Sequence, residues 1–74
     1  MKKNRFIGFV LIKEGDKTNI WRVVNKHHGS ILGEVKWFSH WRQYCFMPEP
    51  DTVFSWDCLR TIDIFIEEKM LARD

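Results

Sequence analysis

Cysteine is scarce in this sequence. Only Cys45 and Cys58 occur, too few for a disulfide scaffold, and both stand in apolar surroundings that suit buried, reduced thiols. No CxxC or HExxH spacing is present, so the familiar zinc patterns are excluded and His27, His28 and His40 read as solvated loop residues. Glycine is limited to four positions, none of them forming a phosphate loop ahead of a helix. Long apolar runs are also missing. The stretch Phe6 to Ile12 is far short of the roughly 20 residues that span a bilayer, which argues against a membrane protein. The basic start Met1-Lys2-Lys3-Asn4-Arg5 is that of a signal peptide, but no small-residue cleavage site follows and the apolar run stops at Lys13-Glu14. The chain is therefore read as cytoplasmic. Repeats, low-complexity tracts and linkers are absent, and 74 residues make a single domain.

Catalytic groupings are just as sparse. Cys45 and His40 lack a third, orienting group, and Glu67-Glu68 stand side by side on a helix facing water. Too few titratable residues remain to line a cleft. The expectation is a non-enzymatic protein without cofactor or metal.

What the chain has in abundance is aromatic. Five of its eleven aromatic residues, Trp37, Phe38, Trp41, Tyr44 and Phe46, fall between Val35 and Pro48, interleaved with Lys36, His40 and Arg42. Such rings beside cationic groups can hold a flat anionic ligand by stacking and cation–π contact. They also serve a small domain that buries only about 60% of its unfolded surface and needs every large side chain for its core. The charge is uneven. Residues 1–50 hold nine Lys/Arg against four Asp/Glu, whereas residues 51–74 hold three against six. The basic part weakly favours anionic partners and is well below the charge of a dedicated duplex-DNA binder.

Alternation places strands at about residues 6–13, 18–26, 31–38 and 41–47, with a further short pairing at 52–54. The first strand is apolar at both parities and is expected to be covered on both faces. Glu14-Gly15-Asp16-Lys17, Lys26-His27-His28-Gly29-Ser30 and the tight Ser39-His40 connection join the strands, and Pro48 and Pro50 end the fourth. At Ser55, a plausible N-cap, the period changes to helical. A helix over about 56–71 carries Leu59, Ile62, Phe65, Ile66 and Lys69/Met70 as its apolar stripe. Trp56, Arg60, Ile64, Glu67 and Leu71 form a second, mixed stripe. Trp56 and Ile64 have two readings: contact with a second protomer in a homodimer, or packing on the first strand.

These pieces predict an α+β fold, an antiparallel meander of four to five strands with one C-terminal helix packed on one face. One helix cannot cover both faces, so an exposed aromatic patch is expected. The helix is placed over Tyr44 and Phe46, with Trp41 and Gln43 outward. A sheet curled into a partial barrel is the alternative.

Leu32-Gly33-Glu34-Val35-Lys36-Trp37, then Trp41-Arg42-Gln43-Tyr44-Cys45-Phe46-Met47-Pro48 and a terminal helix, resembles small uncharacterised proteins of bacteria and their phages. Their shared pattern reads LG-x-[IV]-x-W, three residues, WR-x-Y-x-F-x-P. With Trp21-Arg22-Val23-Val24 and Cys58 to Ile66 it covers roughly residues 17–70. The resemblance implies a stand-alone domain and, by analogy, host-directed inhibition or ligand sequestration.

The binding residues expected from the sequence are Trp37, Trp41, Arg42, Lys36, Arg22 and Gln43. Arg42 could grip a phosphate or carboxylate while Trp41 or Trp37 stacks a ring. Alternatively, Arg42 lies over a core aromatic or pairs with Glu34. A protein partner is favoured, because exposed aromatics with Arg are typical interface anchors. A nucleotide or single-stranded nucleic acid is the alternative.

Overall fold

The computed structural model describes residues 5–73; the basic start at residues 1–4 and Asp74 lie outside the described residues. Period-two alternation between polar turns yields four strands, β1 (Ile7–Glu14), β2 (Asn19–Asn25), β3 (Ile31–Phe38) and β4 (Gln43–Pro48), followed by one helix, α1 (Trp56–Leu71). The strands pair antiparallel in the order β1-β2-β3-β4. This is the α+β meander with a C-terminal helix that the sequence predicts. With β1 and β4 as its two edges, the sheet does not close into a barrel.

The turns follow from their residues. Asn25 Oδ1 accepts from the backbone N–H of His27 (2.9 Å) and His28 (3.2 Å), and Gly29 completes the loop at φ 72°. Between β3 and β4, Trp41 N–H donates to Phe38 O (3.1 Å) and Arg42 N–H to Ser39 O (3.3 Å). Trp41 and Arg42 therefore belong to this turn, not to the fourth strand, which starts at Gln43. Arg42 stands at φ 54°, and that left-handed step breaks the alternation that continued on paper. Residues 52–54 add no strand pairing.

Trp21, Val23, Val35 and Tyr44 point to one side of the sheet and meet Ile62 of the helix there. Val23 and Val35 are fully buried. Phe65 stacks on Phe9 at 3.9 Å between ring centres and takes the edge of Trp21 at 5.2 Å. Trp21 and Trp37 both sit edge-on to Tyr44 at 5.3 Å. The helix thus covers the face of Tyr44 and Phe46, as expected. Ser55 caps it, accepting from Cys58 N–H at 3.3 Å, with Asp57 in the first turn.

Two expectations about packing need correction. The helix buries Thr61 and Ile62 while Leu59 is half exposed, so the stripe is rotated towards Cys58 and Thr61. Thr61 can be buried because its hydroxyl donates to Asp57 O at 3.0 Å. Nor is β1 covered on both faces: it is an edge strand with Val10, Leu11 and Ile12 exposed. A helix is about 10 Å wide, whereas four strands spaced about 4.8 Å apart span roughly 14 Å between the outer axes. The helix contacts β4 most, and β1 reaches the core through Ile7 and Phe9. The shortest dimension of the molecule, 19 Å, is that of one sheet and one helix.

Candidate functional site

The face of the sheet turned away from α1 is crossed by a row from all four strands: Val10 opposite Arg22, Arg22 opposite Glu34, Glu34 opposite Met47. Beside it Lys36 faces Cys45, and Phe38 faces Gln43. On the other flank Val24 lies between Gly8 and Ile31. The stem of Lys26 lies across Gly8, where an added Cβ would stand 3.1 Å from its Cγ and Cε. Val10 and Ile31 are about half exposed, at 50% and 46%, and Arg22, Val24, Glu34, Lys36, Phe38, Cys45 and Met47 are half-buried. The surface is thus apolar, with Arg22, Lys26 and Lys36 set against Glu34.

The aromatic end of this surface is the β3–β4 turn. Trp41, 67% exposed, stands edge-on to Phe38 at 4.9 Å, and His40 lies 5.2 Å from the same ring. Arg42 and Gln43 are exposed beside them. Among the described residues Arg42 neither covers a core ring nor pairs with Glu34; it projects from a backbone conformation that costs a side-chain-bearing residue roughly 1 kcal/mol. Arg22 contributes a buried Nε with no hydrogen-bond acceptor. A donor left so is expensive.

Five of the six expected binding residues, Arg22, Lys36, Trp41, Arg42 and Gln43, therefore fall on this face or its rim. Trp37 does not. It points to the helix side, packed against the core with the Arg73 guanidinium 3.9 Å above its ring. Lys36 and Trp37 are neighbours in sequence, so strand alternation sends them to opposite faces. The two thiols are likewise separated: Cys45 is on the open face, and Cys58 packs against the core. Trp56 is 77% exposed and does not pack on β1; Ile64 is half-buried.

A second grouping of rings and cations, on the helix side, was not expected from the sequence. Lys17, Lys69 and Arg73 surround an open cleft floored by Trp21, Tyr44 and Asn19. Its members come from a turn, two strands and the end of the helix. The usable sequence signal is the spacing of Phe65, Lys69 and Arg73, which puts all three on one helical line.

Fold and surface together define a small helix-on-sheet α+β protein with one apolar, basic sheet face uncovered. The chain belongs to the family of a phage protein: it is 34% identical over 74 residues to the "Uncharacterized 9.3 kDa protein" of Acholeplasma phage L2, spanning 99% of this chain and 95% of that one. No protein-family model and no solved structure matches it. Among the described residues no helix is long and apolar enough to cross a membrane.

Proposed function

We propose that this protein is a non-enzymatic binding module that seats a protein partner on its open sheet face, acting in the cytoplasm of the host cell. The observation behind this is the uncovered row Val10–Arg22–Glu34–Met47, ending at the exposed Trp41–Arg42 tip. Its chemistry suits an apolar protein surface bordered by carboxylates. Kinship with a phage protein supports a host factor as the partner and inhibition as the outcome.

The LG-x-[IV]-x-W…WR-x-Y-x-F-x-P pattern adds support. Gly33, Val35, Trp37, Tyr44 and Phe46 all lie on the helix side or in its core, so packing explains them. Packing does not explain Trp41 and Arg42. We take this pair as the shared anchor and the intervening positions Glu34, Lys36, Gln43, Cys45 and Met47 as the part that fits one partner. Trp56, exposed at the start of α1, supports a separate self-contact that would make a homodimer, with Ile64 towards its edge.

The test is affinity capture from the host, with mass spectrometry of proteins and small molecules, using the wild type and a Trp41→Ala/Arg42→Ala variant. The wild type should retain one protein that the variant loses, with an unchanged circular dichroism spectrum. Equal capture by both would refute the anchor, and a collapsed spectrum would make the pair structural. A second reading, nucleotide or single-stranded nucleic acid stacked on Trp41, is favoured by that ring's exposure. Salt separates the two, since a nucleic-acid complex weakens steeply as salt rises and an apolar protein interface does not.

A further inference from the structure

The helix-side cleft lies across the sheet from the proposed partner face and has a volume of about 750 Å³. We propose that it binds a phosphate-bearing small molecule, up to a mononucleotide in size, through Lys17, Lys69 and Arg73. Cavities that hold small ligands typically measure about 300–1,000 Å³, so the space fits.

Arg73 and Lys69 are held against aromatic rings. The Arg73 guanidinium carbon lies over Trp37, 3.9 Å from the ring centre, and Nη1 donates to Lys17 O at 3.0 Å. A guanidinium has further N–H donors in the same plane, and these suit an oxyanion with two or three acceptor oxygens. The Lys69 ammonium stands 4.9 Å from the Phe65 ring centre and 5.3 Å from that of Trp21. Lys17 is exposed at the opposite lip. None of the three meets a carboxylate among the described residues, and no acidic side chain lines the cleft.

Helix capping does not account for this much charge. Lys69 lies in the last turn of α1, where a cation offsets the negative end of the helix dipole. That end amounts to only about half an elementary charge, so one ammonium exceeds it, and among the described residues Lys17 and Arg73 meet no carboxylate. Asn19 N–H already donates to the Tyr44 hydroxyl at 3.3 Å, which fixes the polar floor against the aromatic one.

An amide NMR titration of the full chain at low salt tests this, with sodium pyrophosphate, adenosine monophosphate and adenosine as the probes. Pyrophosphate and adenosine monophosphate should each shift the amides of Lys17, Asn19, Ala72 and Arg73 with sub-millimolar affinity, and adenosine should not. Tighter binding of the nucleotide than of pyrophosphate would identify the nucleoside as part of the ligand; equal binding would mean that phosphate alone is recognised. Lys17→Gln/Lys69→Gln should weaken binding at least about tenfold, while Lys13→Gln on the exposed edge strand leaves it unchanged. Unmoved cleft amides, equal shifts with adenosine, or equal weakening by Lys13→Gln would overturn the proposal. The wild-type comparison of adenosine with its monophosphate stands even if the double variant fails to fold. Partner capture through Trp41 is independent of every outcome.

Discussion

At Gly33 an added Cβ would run into the carbonyl oxygen of Met47 and would lie 2.7 Å from the Phe46 ring and 2.9 Å from Pro48 Cα. Two of these three obstacles are backbone, which cannot swing aside as a side-chain end can. The φ of 157° adds a conformation that an L-residue rarely takes. Leu32, just before Gly33, is the extra residue of the bulge between the Val23–Gly33 and Val24–Ile31 pairs. Gly33→Ala should therefore cost about 2 kcal/mol or more, read as a lower denaturant midpoint at unchanged slope. A loss below about 0.5 kcal/mol would show that β4 can move away from β3. Gly29 is the contrast: at φ 72° with nothing within 4 Å of its Cβ position, it is needed for conformation alone.

The same kind of backbone constraint acts on an element at the β3–β4 turn, where Arg42 occupies a position glycine would fill more cheaply. Arg42→Gly should raise stability by about 0.5–1 kcal/mol in denaturant unfolding while weakening partner capture. If stability fell instead, the side chain would be holding the turn and its functional reading would fail. The turn also shows where sequence reading stops. The limits of β3 and α1 were legible because their signals are local: alternation from Ile31 to Phe38, and Ser55 with Asp57 ahead of a 3.6-residue period. Trp41 and Arg42 continue the alternation of Tyr44 and Phe46 on paper, and only a torsion angle ends it. Thr61 misled for a different reason. A polar residue does not count towards an apolar stripe, yet its hydroxyl is satisfied within the helix and the residue is 3% exposed. For β1, apolar residues at both parities suggested double cover, but strand order, a non-local property, made it an edge.

Across the whole molecule, charge and shape divide the two faces between different tasks. The surplus of one helix against four strands was legible from element count alone, and so was an uncovered face. Which ring faced which way followed from alternation, except that the helix-side cations could be grouped with Trp21 and Tyr44 only once the end of α1 met the β1–β2 turn. The open face carries Lys26, Arg22 and Lys36 against Glu34, while the acidic residues of α1, Asp57, Asp63, Glu67 and Glu68, belong to the other layer. A partner with an acidic border would be steered to the sheet side, where these cations outnumber Glu34. Charge at the border of an interface acts mainly on association, and a buried aromatic anchor mainly on dissociation. With the captured partner immobilised, Lys36→Glu should slow association about tenfold at low salt, and the difference should shrink as salt rises. Trp41→Ala should leave association within about threefold and raise the dissociation rate instead. Surface plasmon resonance reads both rates. If Lys36→Glu changed dissociation alone, Lys36 would be a buried contact in the complex and not a steering charge. If Trp41→Ala changed neither rate, the partner would be seated on the Val10–Arg22–Glu34–Met47 row without the tip.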